Sequence, residues 1–160
     1  MRSGSRTPSP TDGFAGGESG KQPLIVDYQA TTQSVAVFAP EPASIPAARR
    51  FVRSPAEEFV AHRVDDILLA VSELATNAVE YGSSAPFEVR FVHKGDVVEL
   101  TVTSSVANSS SPPDAGPPPT SEKIPRSGRG LGIVEAISDG LEIRNEDGHF
   151  RARCRFNVDL

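Results

Sequence analysis

The 160-residue chain has a single cysteine, only three histidines and no tryptophan. Cys154 alone excludes an internal disulfide framework and any multi-cysteine metal site, and it fits a reducing compartment. His62, His93 and His149 are scattered, none has a partner at metal-ligand spacing, and they read as surface or partly buried residues. No apolar run approaches the ~20 residues of a membrane span. The N-terminus is rich in Ser, Gly and Pro and lacks the apolar stretch of a secretory signal, so a cytosolic location is expected. The net charge is −5, and no basic block exceeds Ala48-Arg49-Arg50, which argues against direct contact with nucleic acid.

What is present fits one domain with tails. Residues 1–23 have a Ser/Gly/Pro/Thr composition that cannot bury enough surface to order itself, so they read as a disordered leader ahead of a domain over 24–160. Leu24–Tyr28 is a candidate short strand, and Ser34–Phe38 a better one, stopped by Pro40 and Pro42. Ser44 reads as an N-cap with Pro46 in the first helical turn, and Ser54-Pro55-Ala56-Glu57 as a capping box where that helix breaks or restarts.

The next helix is the clearest element. Val64, Ile67, Leu68, Val71, Leu74, Ala75 and Ala78 form one apolar stripe, and Gly82 follows as the C-cap. At about 100° per residue, Asp66, Glu73, Asn77 and Glu80 cluster within about 60° of one another beside that stripe. A hairpin follows: Phe87, Val89 and Phe91 alternate with polar residues, Lys94-Gly95-Asp96 turns, and Val98, Leu100, Val102 and Ser104 point inward. Residues 105–126 are a Ser/Pro tract, which inside a compact domain reads as a lid or as disorder. A short helix runs from Gly130 to about Ser138, with Ile133, Val134 and Ile137 on its apolar side. Leu141–Arg144 and Phe150–Val158 then pair through Asp147-Gly148, with Arg151, Arg153 and Arg155 facing away from the core. The fold class expected is an α+β two-layer sandwich, a mixed sheet covered on one face by helices.

Two segments carry chemistry. Glu73-Leu-Ala-Thr-Asn77 puts a carboxylate and a carboxamide one turn apart on the polar side of a helix. Asn is a poor helix former, so its place in mid-helix calls for a reason; its oxygen can ligate magnesium beside phosphate oxygens and waters. Glu73 can orient or deprotonate an attacking hydroxyl. The second segment is Gly128-Arg129-Gly130-Leu131-Gly132. It matches neither the dinucleotide fingerprint nor the Walker loop. Its glycines nevertheless let the backbone approach a ligand, and the first N–H groups of the following helix have no internal partners, which suits an anion. A flexible turn into the helix with no ligand is the alternative.

In this order, the two segments resemble the signature boxes of the GHKL ATPase superfamily, whose members share the Bergerat fold. Glu73 through Tyr81 and Gly82 looks like its N-box, and Gly128 to Val134 like its second glycine box. The resemblance covers roughly residues 34–158 and is nearest to the small bacterial anti-sigma-factor serine/threonine kinases, whose first helix Ala47-Ala48-Arg49-Arg50-Phe51-Val52 also resembles. Histidine kinases add a helical domain bearing a phosphoacceptor histidine, for which this sequence has no room, so phosphorylation on histidine is not expected.

The resemblance implies Mg2+ and ATP as cofactors. Asn77 would hold the metal, Glu73 would be the catalytic base, and Gly128, Gly130 and Gly132, with Leu131 between them, would cradle phosphate. Arg126 and Arg129 would neutralise charge or close the lid, and Tyr81 and Gly82 would flank the nucleotide. The implied partners are a sigma factor, which the protein sequesters, and an anti-anti-sigma (STAS-type) protein, which it phosphorylates; a homodimer is compatible with the sequence. One position departs from the pattern. The family places an Asp at the inward end of the strand, where it accepts a hydrogen bond from the adenine amino group. Ser104 stands in that register here. A neutral hydroxyl makes a bond roughly half as strong as a charged one, so a non-catalytic binding module with weak or absent nucleotide binding stays open as the second reading.

Overall fold

The computed structural model describes residues 31–106 and 129–159. The leader, the candidate strand Leu24–Tyr28 and most of the expected lid lie outside these residues. The chain runs β1 (Thr32–Phe38), α1 (Ser44–Phe59), a single 3-10 turn (Ala61–Arg63), α2 (Val64–Tyr81), β2 (Phe87–Lys94), β3 (Val97–Ser105), α3 (Gly130–Ile137), β4 (Gly140–Glu146) and β5 (His149–Asn157).

Helix α1 differs from expectation at two places. Its N-cap is Ala43, and Ser44 lies inside the first turn, buried. The preceding turn explains this: Glu41 and Pro42 carbonyls already accept the N–H groups of Ser44 and Ile45, at 3.0 and 3.1 Å, so no side-chain cap is required. The helix also runs unbroken through Pro55. An interior proline costs about 3 kcal/mol. The buried stripe of Ala48, Val52 and Ala56 continues past it to Val60, with Phe59 packed against the core and stacked on His93 at 4.3 Å. Burial of that second half outweighs the local break. Phe38 anchors the other end, 6.0 Å from the Phe51 ring and 5.7 Å from Phe87.

Helix α2 buries the expected stripe, from Ile67 to Ala78. It ends at Gly82, whose N–H caps Ala78 O at 3.1 Å. Glycine is required there by contact: a Cβ would sit 2.2 Å from the Ala78 carbonyl oxygen.

The strands form one sheet in the order β1-β2-β3-β5-β4, antiparallel at every pairing. The mixed sheet expected from sequence is therefore corrected for the described strands. Strands β3 and β4, joined through α3, do run the same way, but β5 inserts between them, so no parallel pair is in contact. The β4–β5 turn has both Asp147 (φ 53°) and Gly148 (φ 73°) left-handed, the geometry tight hairpins favour. Phe87, Val89, Phe91, Val98, Leu100, Val102, Ala152, Cys154 and Phe156 form the core with the three helices. The other face carries Arg90, Thr101, Thr103, Arg151, Arg153 and Arg155, and none of the described helices covers it, the usual one-sided antiparallel arrangement.

Candidate functional site

The two chemical segments meet in space. Gly130 opens α3 and is buried, and a Cβ built on it would lie 2.7 Å from Glu73 Oε2. The carboxylate of the α2 motif thus rests against the backbone of the glycine turn, an approach any larger residue would obstruct. The first intrahelical bond at the start of α3 is Ile133 N–H to Arg129 O, at 2.9 Å. The N–H groups of Gly130, Leu131 and Gly132 therefore have no partner within the helix. Among the described residues nothing lies within 4 Å of a Cβ at Gly132, and Gly132 is exposed. Leu131 packs against the core and seats the helix. Arg129 is exposed at the N-cap position and makes no side-chain cap. Arg126 and Gly128 fall outside the described residues.

Asn77 and Glu73 are both partly buried, one turn apart on α2. Neither makes a side-chain hydrogen bond or ion pair among the described residues. Asp66, which sequence geometry groups with them, is engaged elsewhere: it accepts a hydrogen bond from Arg63 Nε at 2.8 Å. Glu80 is exposed.

At the far end of α2, Tyr81 is half exposed and Gly82 touches β3. Ser83 N–H donates to Ser105 O at 2.7 Å, and Gly82 bridges Val106. Ser104 faces inward at the strand's end, 6% exposed, its Cβ 3.6 Å from where a Gly82 Cβ would stand. The inward register read from sequence is correct. The polar side of α2 is thus bounded by β3 at Gly82 and Ser104 and by the glycine turn at Glu73.

Other reactive groups are occupied by structure. Cys154 is buried and donates from Sγ to Leu100 O at 3.6 Å, and burial pushes its pKa to about 12. His93 stacks on Phe59, while His62 and His149 are exposed. Among the described residues no cluster of three His, Cys, Asp or Glu side chains could hold a metal, and no helix is long and apolar enough to cross a membrane. Magnesium carried by phosphates needs no such cage, since one or two protein ligands suffice. A carboxamide at Asn77 with no partner among the described residues, and a glycine turn whose first N–H groups have none within the helix, fit that kind of ligand. Sequence reasoning missed Arg63. Its only local signal is Asp66 three residues on; its other partners are far away in sequence.

The family model of the histidine kinase-like ATPase domain matches residues 38–154. Among solved structures, that of the RsbU and RsbW domains of Rv1364c from Mycobacterium tuberculosis is similar at a TM-score of 0.59 and 19% identity. The match covers 79% of this chain and 32% of that one, and at such identity it speaks to the fold. The Acinetobacter baumannii histidine kinase AdeS matches at a TM-score of 0.49 and 13% identity, over 79% of this chain and 68% of its own. No curated protein matches the sequence. The family match spans α1, α2, the β2–β3 hairpin, the glycine turn into α3, β4 and most of β5, so the chain belongs to the histidine kinase-like ATPase domain family.

Proposed function

We propose that this domain is an ATP-dependent serine/threonine protein kinase of the anti-sigma-factor type, which sequesters a sigma factor in the cytoplasm and phosphorylates a small anti-anti-sigma protein. The observation that carries the reading is Glu73 standing against Gly130, with Asn77, which has no partner among the described residues, one turn further along α2. Bound Mg-ATP would supply the phosphoryl group to be transferred. The backbone N–H groups of Gly130, Leu131 and Gly132 would donate to phosphate oxygens, as helix N-termini do. Gly128 would extend that cradle, and Arg129 and Arg126 would add positive charge. The Asn77 carboxamide oxygen would be the protein's ligand to magnesium. Ser104, Tyr81 and Gly82 would border the base. Glu73 would orient the incoming hydroxyl and accept its proton as the new O–P bond forms and the bond to the leaving diphosphate oxygen breaks.

A base that acts in transfer contributes little to ground-state binding. Glu73→Ala is therefore expected to keep Mg-ATP affinity within a few-fold and to cut transfer to a partner serine or threonine by ~10²-fold or more. Radiolabel transfer from γ-labelled ATP, with calorimetry on the same samples, measures both. Equal transfer by wild type and variant removes the role given to Glu73.

Ser104 favours a second reading, a non-catalytic partner-binding module, because a buried hydroxyl stands where a carboxylate would hold adenine more strongly. Titration of the wild-type chain with Mg-ATP separates the two: no uptake supports the module and excludes the kinase.

A further inference from the structure

Helix α3 is short, about 12 Å, and carries the glycine turn at its start. Val134 is its one fully buried side chain; Leu131 and Ile137 are partly buried against the core. Apolar contacts of this kind resist separation from α2 but are non-directional. They do not by themselves set where α3 stands along its neighbour. A directional restraint exists at the other end. Arg63, in the turn before α2, donates from Nη2 to Ile137 O at 2.7 Å, from Nη1 to Asp139 Oδ2 at 3.0 Å and from Nε to Asp66 Oδ2 at 2.8 Å. Ile137 is the last residue of α3, so a cation caps a carbonyl that has no helical partner, at the negative end of the helix dipole. Asp139 Oδ2 also accepts from Asn157 N–H at 2.8 Å, and Asp139 N–H donates to Arg155 O at 2.8 Å, which ties the clasp to β5. The guanidinium carbon lies 5.3 Å from the Phe156 ring centroid, so the group is fixed from below as well.

We propose that Arg63 is a positioning residue for the phosphate end of the site: by locking the end of α3 to the start of α2, it fixes the glycine turn against Glu73. Arg63 itself is about 15 Å along α2 from Glu73 and touches no candidate ligand group. It acts through the eight-residue helix as a spacer. Arginine suits the task because its planar fork satisfies three acceptors in fixed directions, whereas a lysine offers a point charge. The proposal rests on the nucleotide reading and deepens it, since it assigns the phosphate half of the ligand, and not the base, to α3's placement.

The test compares Mg-ATP, by calorimetry, with adenosine, by NMR titration, on the full chain. Arg63→Ala is expected to weaken Mg-ATP about tenfold or more, the scale of a displaced group of ligand-binding donors, and to leave adenosine affinity unchanged. Arg63→Lys is expected to fall between, and Asp139→Asn to lose affinity in the same direction by less. If Arg63→Ala does not fold, the Lys and Asn variants decide alone. Equal loss for both ligands marks a merely structural role and overturns the proposal, as does no loss for either. A wild-type chain that takes up no Mg-ATP removes the nucleotide reading underneath, an outcome seen in the control before any variant is made.

Discussion

Gly130 is the position where absence of a side chain is most exposed to test. A methyl group there would stand 2.7 Å from Glu73 Oε2, closer than such atoms approach. The carboxylate is the flexible end of a side chain, so Gly130→Ala is expected to fold, but with Glu73 displaced. Phosphoryl transfer should then fall by about tenfold or more, the cost of a misplaced reacting group, while the melting temperature changes little. Calorimetry with Mg-ATP on the same variant separates displacement of Glu73 from damage to the phosphate cradle, to which Gly130 also belongs. If Gly130→Ala transfers at the wild-type rate, Glu73 does not depend on contact with the turn. Glu73, Asn77 and Ser104 were readable from sequence because their positions follow from local periodicity: one turn of helix, or one alternation of a strand. Arg63 was not, because Ile137 and Asp139 lie 74 and 76 residues away.

The junction of α2 with β3 brings Gly82 beside Ser104, the end proposed for the base. It depends on Gly82, where any Cβ collides with a backbone oxygen, which cannot rotate away. Gly82→Ala is expected to lower stability by about 1–3 kcal/mol, as overpacking against rigid atoms does, and to weaken nucleotide binding through the neighbouring Ser104. Urea unfolding reads the first effect; an unchanged midpoint would mean the helix end shifts freely. At this scale, α2 and both hairpins were legible, since a 3.6-residue stripe and an Asp-Gly turn each act over a few residues. The break expected at Pro55 was not real: the local penalty was readable, while the burial of Phe59 and Val60 that offsets it is a tertiary fact. The antiparallel sheet was likewise hidden, because strand order is decided by which strand reaches the gap beside β3.

For the molecule as a whole, Asp139 and Cys154 contribute to stability toward opposite limits of pH. The Asn157 N–H holds the Asp139 carboxyl below its ordinary 3.8, with burial opposing and Arg63 assisting. A depressed carboxyl contributes stability above the ordinary value, and that contribution is lost as pH falls through the lower folded value. Cys154 is the reverse case: burial raises the thiol from 9.0 to about 12, so its contribution is complete below 9.0 and is lost as pH rises from there toward about 12. Urea midpoints measured across pH are expected to show a plateau between these limits. Asp139→Asn should flatten the acid limb and Cys154→Ala the alkaline one, and limbs unaltered by either change would assign the pH dependence to other groups.

The sheet order has a consequence for how the chain reaches this state. The central slot between β3 and β4 is filled by β5, the latest of the five strands in the chain. Until it arrives, β3 has a bare edge, the core lacks Ala152, Cys154 and Phe156, and Arg63 has neither Phe156 beneath it nor the Asn157-bound carboxylate beside it. Folding is therefore expected to wait on a long-range strand insertion, the slow kind of event for a chain of mixed topology. Synthesis that stops short of His149 would leave a half-built sheet open to pairing with other chains, so chaperone capture should fall mainly on this interval.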